Sequence, residues 1–144
     1  MNKIGSVLFA LALAAPLLGP KPGAAAGALA VGSSGNVAKD GIAMGDGFNY
    51  PTIQGASDRA LSECRSAGGA SAAATANCTV VVTFSRQCDA TAIDPASGTP
   101  GAGWAIGGDQ ATAESRAISN CQASAGAGRS QFCKVMQSNC DTHD

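Results

Sequence analysis

The sequence has little charge and a single histidine, and each shortage excludes a class of function. Charged residues make up 13% of the 144 residues, and no run of lysine or arginine occurs. The chain therefore lacks the basic surface with which proteins bind nucleic acid, and no nucleic-acid partner is expected. The one histidine, His143, is the penultimate residue, where ordering is poor. We therefore expect neither a Ser-His-Asp nor a Cys-His mechanism and assign no catalytic residue.

The chain also lacks an apolar run of the roughly 20 residues that cross a bilayer. Its longest such run, residues 4–15, follows Lys3 and is succeeded by small residues at 24–26. This is the layout of a Sec-type signal peptide, so we interpret residues 1–26 as the signal, with an alternative cut after Ala30. We expect a secreted or periplasmic protein that does not insert stably into a membrane after signal removal.

No C-x-x-C pair occurs, although the chain contains six cysteines. Thioredoxin-like enzymes use that spacing and zinc sites often do, so we expect no redox dithiol, no metal and no cofactor. An even number of cysteines in a small exported domain indicates disulfides instead. The six are Cys64, Cys78, Cys88, Cys121, Cys133 and Cys140.

Small residues dominate the rest of the chain and divide it into a lead-in and one domain. Residues 27–36 are mostly glycine, alanine and serine and are predicted to be a flexible lead-in. Residues 37–144 form the single domain. Its strongest strand signal is Cys78 to Ser85, where three valines between threonines predict a central strand buried on both faces. Shorter strands are predicted as a hairpin at 36–45 and as single strands at 88–93, 103–107 and 132–137.

Residues 56–64 return almost unchanged as residues 113–121, and both copies read A-x-x-R-A-(L/I)-S-x-C. The apolar residues and the cysteine fall on one helix face, so each copy predicts an amphipathic helix. The first is expected over about 53–67. Thr52 and Asp109 are the predicted N-caps, since their side-chain oxygens can accept a hydrogen bond from the first turn.

The flanks of the two helices correspond as well. Residues 42–45 resemble residues 104–107, and each helix is followed by a small-residue loop and a strand that opens with a cysteine. The repeats are placed at 37–86 and 87–140. We therefore predict an α+β fold made of two pseudo-repeated strand-strand-helix-strand units, with a mainly antiparallel sheet and two helices, stapled by three disulfides.

The duplicated layout favours a symmetric choice among the fifteen pairings that six cysteines allow. A helix that packs antiparallel to its following strand ends beside the start of that strand. This predicts one bridge within each repeat, and the remaining pair could join the two units. Each bridge would contribute about 2–4 kcal/mol, which helps a core built from small side chains. The predicted pairs are Cys64–Cys78, Cys121–Cys133 and Cys88–Cys140.

Arg59 and Arg116 occupy the same position of the repeat and are candidate ligand or partner residues. They could present guanidinium groups to an anionic ligand such as a wall polymer or a partner carboxylate. The alternative, which we favour, is a hydrogen bond to a nearby carbonyl or to the partner helix. Tyr50 and Trp104 could form a sugar-stacking platform, although a Gly-Trp-Ala-Ile strand also suits a core position, which we favour.

A pair of carboxylates for glycoside hydrolysis is the remaining candidate chemistry. No spacing singles out two of them, and exposed turn or cap positions explain them adequately. The candidates are Asp46, Asp58, Asp89 and Asp109.

Several short motifs together resemble a family of exported bacterial proteins known as a domain of unknown function, DUF4189. They are Gly-x-Ala-x-Gly at 41–45, Tyr-Pro-Thr at 50–52 and Cys-x-Val-Val-Val-x-Phe at 78–84, with an Ala-rich helix ending in cysteine before the last. The similarity covers about 42–140. The resemblance implies secretion and a cysteine-stapled α+β domain, and it transfers no catalytic residue because the family has none established.

These observations predict a non-enzymatic, exported binding or interaction protein of the bacterial envelope or medium. Its partner would be a protein or an envelope polymer. The first alternative is a small periplasmic inhibitor or immunity-type protein that blocks a secreted hydrolase. The second is an envelope hydrolase.

Overall fold

The computed structural model describes residues 25–141, so most of the interpreted signal peptide and His143 lie outside the described residues. The strands are β1 (Ala26–Gly32), β2 (Ala43–Tyr50), β3 (Thr79–Phe84), β4 (Cys88–Ile93), β5 (Ala102–Gly107) and β6 (Lys134–Cys140). The helices are α1 (Val37–Asp40), α2 (Ile53–Arg65), α3 (Ala72–Ala76) and α4 (Gln110–Ser124), and a 3-10 turn covers Ser130–Phe132.

The strands form two three-stranded antiparallel sheets with the same order. The first sheet has the order β2-β1-β3 and the second has the order β5-β4-β6. Helix α2 packs on the first sheet and α4 on the second. The predicted α+β class and antiparallel pairing are confirmed, and each half runs strand, strand, helix, strand. The structure adds two short helices and divides the strands between two sheets.

The predicted flexible lead-in at 27–36 is wrong, because β1 is the central strand of the first sheet. It pairs with β2 on one side and β3 on the other, and Ala28, Leu29 and Ala30 are fully buried. The predicted hairpin at 36–45 is also wrong in its first half, where Asn36 caps α1 through the backbone N–H of Lys39. The first unit therefore starts at β1 rather than at residue 37.

The strand predicted to be central, Cys78 to Ser85, is an edge strand. Strand β3 pairs only with β1 in the described part of the chain, and its pairing shifts at Val81. Thr79, Val81 and Thr83 are exposed. Valine and threonine favour any pleated strand and do not distinguish centre from edge.

The two predicted helices and their caps are confirmed. Thr52 accepts a hydrogen bond from the backbone N–H of Gly55 at 3.1 Å. Asp109 accepts one from the backbone N–H of Thr112 at 2.8 Å. These oxygens satisfy donors that the first helical turn leaves without an intrahelical partner, which fixes where each helix begins.

Glycines let each helix lie directly against its sheet. A Cβ atom at Gly103 would come within 3.0 Å of the backbone of Cys121 and Ala117, and one at Gly45 would meet α2 in the same way. Gly45 is therefore the structural counterpart of Gly103. The matched tetrapeptides at 42–45 and 104–107 are not equivalent in space, because they are offset along their strands.

All three predicted disulfides are present. Two tie the end of a helix to the start of the next strand, with Cα atoms 6.0 Å apart. The third joins neighbouring residues of β4 and β6. The expectation that it joins the two units is wrong, because both strands belong to the second sheet. The pairs are Cys64–Cys78, Cys121–Cys133 and Cys88–Cys140.

The sheet faces that the helices leave uncovered oppose each other. Ala28 and Ala30 belong to the cluster under α2, so Leu29 lies on the other face of β1. Asp89 of β4 lies on the face away from α4 by the same alternation. Both residues are buried, which requires the two far faces to cover each other.

A buried carboxylate fixes the two halves at one end. Asp141, directly after β6, accepts hydrogen bonds from the backbone N–H groups of Asn49 and Arg86, each at 3.2 Å. Both donors belong to residues in the left-handed region, with φ of 60° and 52°. Non-glycine residues seldom adopt that region, so the contact holds two unfavourable backbone conformations in place.

We expect Gly103→Ala to lower the free energy of unfolding by about 1–3 kcal/mol, because the added methyl group must push α4 away from β5. Gly108→Ala is the matched control, since a Cβ atom there meets nothing within 4 Å. Chemical denaturation of both variants measures the difference. Equal stability of the two variants would contradict the close helix–sheet contact.

Candidate functional site

Three polar side chains of α4 cover the outer edge of β5. Arg116 Nη1 donates to the carbonyl of Ile106 at 3.0 Å, and Asn120 Nδ2 donates to that of Trp104 at 2.8 Å. Ser124 Oγ donates to the carbonyl of Ala102 at 2.7 Å. Four helical residues advance about 6 Å and two strand residues about 6.6 Å, so the two rows stay in step.

A surface groove of about 590 Å³ lies along this covered edge. Trp104 and Arg116 both line it, and Ile42 of the first unit also contributes. Trp104 is half-buried, whereas Arg116 and Asn120 are exposed. The groove is lined by Ile42, Ala102, Gly103, Trp104, Ala105, Arg116, Ser119 and Asn120.

The groove leaves hydrogen-bonding capacity for a ligand. Among the described residues, the Arg116 guanidinium makes one hydrogen bond, to Ile106, and it has five N–H donors in all. Asn120 uses its amide nitrogen on Trp104, which leaves its Oδ1 as an acceptor. The carbonyl contact of Arg116 is the structural role that the sequence suggested, and it occupies only part of the guanidinium.

Arg59 and Tyr50 lie apart from this groove. Arg59 forms an ion pair with Glu63, one turn further along α2. Tyr50 packs against the cluster under α2, next to Gly55. Only Trp104 and Arg116 of the four candidate surface residues come together. Glu63 stands at the repeat position of Asn120, so the first unit directs its arginine along the helix rather than to a strand carbonyl.

Two of the four candidate aspartates, Asp46 and Asp89, approach each other between the sheets. Burial and the charge of Asp46 raise the pKa of Asp89 to about 7, and neither Asp89 oxygen has a hydrogen-bond partner among the described residues. The pKa of Asp46 is also raised, first by burial and then by the charge of Glu63. Hydrogen bonds from two side-chain amides of β6 lower this pKa and offset part of the increase. With exposures of 4% and 1%, these carboxylates cannot reach a substrate.

The other two candidate aspartates have surface roles on the helices. Asp58 accepts a hydrogen bond from Gln54 one turn earlier in α2. Hydrogen bonds from the backbone and side chain of Thr112 lower the pKa of Asp109, with a smaller contribution from the charge of Arg116. Within residues 25–141, no group of three or more His, Cys, Asp or Glu side chains is placed to hold a metal.

A second groove, of about 630 Å³, lies between the two units. Its lining comes from 37–44, 67–71 and 93–101 together with Met136, and the charged residues in it are Lys39, Asp40 and Asp94. Its buried carboxylate, Asp94, receives two hydrogen bonds from Arg129 at 2.7 Å, which lower the pKa of Asp94. The lining of this groove contains no aromatic residue, whereas that of the first groove contains Trp104.

Sequence reasoning missed Asn120, Ser124 and Asp141. The first two carried a usable signal, because with Arg116 they form a polar row at four-residue spacing on a helix. Asp141 carried none, since its partners Asn49 and Arg86 are distant in sequence and bind it through backbone atoms.

A family model described as "Domain of unknown function (DUF4189)" matches residues 26–140. No curated protein and no solved structure matches the chain. The matched segment begins with β1 and ends with β6.

We expect Asp89→Asn to stabilise the protein increasingly as pH rises. The folded carboxyl binds its proton up to about pH 7, whereas the unfolded one ionises near its ordinary value of 3.8. The wild type therefore loses stability between about pH 4 and 7, by roughly 4 kcal/mol at most, and the amide does not. Urea unfolding of both proteins from about pH 4 to 8 measures the difference in their free energies of unfolding.

Asp58→Asn, a substitution at an exposed site, controls for the change in net charge. A stability difference between Asp89→Asn and the wild type that does not vary with pH would contradict the raised pKa of Asp89.

Proposed function

The chain belongs to the DUF4189 family, and from its surface groove we propose that this member is an exported binding protein that holds a partner at Trp104 and Arg116 without chemical turnover. The observation that carries the proposal is the pairing of a half-exposed tryptophan with an incompletely engaged arginine in one groove. Tryptophan and arginine are enriched among the residues that dominate binding energy at interfaces.

The groove is built on rigid elements. Trp104 is on a strand paired along its length with β4, and Arg116 is on a helix that Cys121–Cys133 ties to the start of β6. Side chains held by paired strands and cross-linked helices lose little freedom on binding, which favours affinity. This rigidity supports a role in binding.

The covalent structure supports export. Three disulfides persist in oxidising compartments such as the periplasm or the medium. In the part of the chain that the structure describes, no helix has the length and hydropathy needed to cross a membrane. We propose that residues 1–26 act as the signal peptide.

A hydrolase is the less favoured function, because Asp46 and Asp89, the two candidate carboxylates that approach each other, are buried between the sheets. The other two, Asp58 and Asp109, belong to different helices. An inhibitor of a secreted hydrolase would use the same groove against a single enzyme. It therefore differs from a general envelope binder in the partner and not in the site.

We expect material retained from an envelope extract by the wild type to be lost with Arg116→Gln and with Trp104→Ala. Arg59→Gln, the repeat-related arginine outside the groove, is the matched control and should retain it. Affinity capture with quantitation of bound protein and polymer measures this. One stoichiometric enzyme partner would favour the inhibitor, and retention that is equal in all variants would contradict the groove as the binding site.

We expect the exported protein to begin at Gly27. A cut after Ala26 keeps six of the seven residues of β1, whereas a cut after Ala30 would remove most of this buried central strand. N-terminal sequencing of the secreted form decides between them. A first residue of Val31 would mean that β1 is not part of the mature fold.

A further inference from the structure

We propose that the groove at Trp104 binds an acidic glycan, with the indole ring packed on a sugar ring and Arg116 paired with a uronate carboxylate. The inference rests on the proposed binding function and specifies its ligand. It follows from three properties of the groove: its shape, the hydrogen bonds it has left to offer, and the state of the strand edge beside it.

The shape suits a flat, extended ligand. Gly103 and Ala105 face α4, so the Trp104 side chain lies on the other face of β5. The groove that both Trp104 and Arg116 line therefore runs around the strand edge. Trp104 is the one aromatic residue among those that line the groove, and Ile42 of the first unit also lines it. The C–H face of a pyranose ring packs on such an aromatic surface, and a volume of about 590 Å³ lies within the range of small-molecule sites.

The charge suits a carboxylate. Arg116 is the one charged residue that lines the groove, and a guanidinium presents a planar pair of N–H donors that matches a carboxylate. The charge of Arg116 contributes to lowering the pKa of Asp109, but the oxygens of Asp109 are already engaged with Thr112 at the start of α4. An anionic ligand therefore meets an arginine that no carboxylate of the described chain pairs directly.

The remaining polar atoms suit sugar hydroxyls. The Asn120 amide nitrogen and the Ser119 hydroxyl donate inside the protein, to Trp104 and to Ser115. These two side chains can still offer acceptor lone pairs, on Asn120 Oδ1 and Ser119 Oγ, and the second N–H of the Asn120 amide. Hydroxyl groups supply the donors that such acceptors need.

The covered strand edge argues against a peptide. A peptide commonly binds beside a sheet by adding a strand, through the outward N–H and C=O groups of the edge. The outward carbonyls of β5 are already taken by Arg116, Asn120 and Ser124. The groove therefore favours recognition by ring stacking and side chains, as a glycan chain provides.

Trp104 is the sole tryptophan of the chain, so its fluorescence reports on the groove directly. We expect a saturable change in its emission on titration with hexagalacturonate or with an alginate hexamer. The carboxyl-reduced form of hexagalacturonate should bind at least tenfold more weakly, because it retains the sugar rings and loses the charge. Raising the salt from ~0.05 M to ~0.5 M should also weaken binding, since the pair is exposed to solvent.

Arg116→Gln should weaken binding of hexagalacturonate at least tenfold, because the amide has no charge to pair with the carboxylate. Arg59→Gln should leave the affinity unchanged. Ser119→Tyr, a second variant at an exposed helix position, should block the groove without touching the β5 contacts. Far-UV circular dichroism confirms the fold of each variant.

Equal binding of the acidic and carboxyl-reduced chains, or no change in Trp104 emission with either acidic chain, would overturn the glycan assignment. If retention of envelope material still depends on Trp104 and Arg116 in that case, the proposed binding function stands and its ligand is not an acidic glycan. If that retention is also independent of both residues, the groove is not the binding site and both proposals fail.

Discussion

The close approach of each helix to its sheet is the constraint on which the rest of the fold depends. At Gly45 and Gly103 the helix backbone occupies the space of a side chain, and the surrounding clusters consist largely of alanine and cysteine. Small side chains bury little apolar area each, so their hydrophobic stabilisation is limited. Disulfides between each helix and its next strand restrict the unfolded chain and offset this limit.

The same constraint explains which parts of the fold could be predicted. Helices with polar caps and a repeated cysteine carry local signals, and these gave both helices and all three pairings. Strand β1 carries no such signal, because a strand that lies under a helix at short distance is built from the alanine and glycine that also compose linkers. Strand β3 has the opposite composition, because its valines predict a buried central strand although it lies at the edge of the sheet. Composition indicates how closely a strand packs, but it does not determine strand order, which depends on contacts between residues distant in sequence.

The candidate site was predictable in its residues and not in its geometry. The repeat singles out Arg59 and Arg116 equally. In the structure Arg59 pairs with Glu63 on its own helix, whereas Arg116 donates to a strand carbonyl and Asn120 takes the repeat position of Glu63. The approach of Asp46 to Asp89 depends on how one sheet faces the other. Nothing within either strand encodes it.

The hydrogen bonds from α4 to the edge of β5 have a consequence for how this surface can diverge. An exposed strand edge is a template for unwanted association between chains, and here Arg116 and Asn120, two of the three side chains that cover the edge, also line the groove. Ligand preference and solubility are therefore coupled at Arg116 and Asn120. Substitutions that keep a nitrogen donor in the side chain can alter ligand preference and preserve solubility, so glutamine, asparagine, lysine and arginine are the alternatives open to these positions.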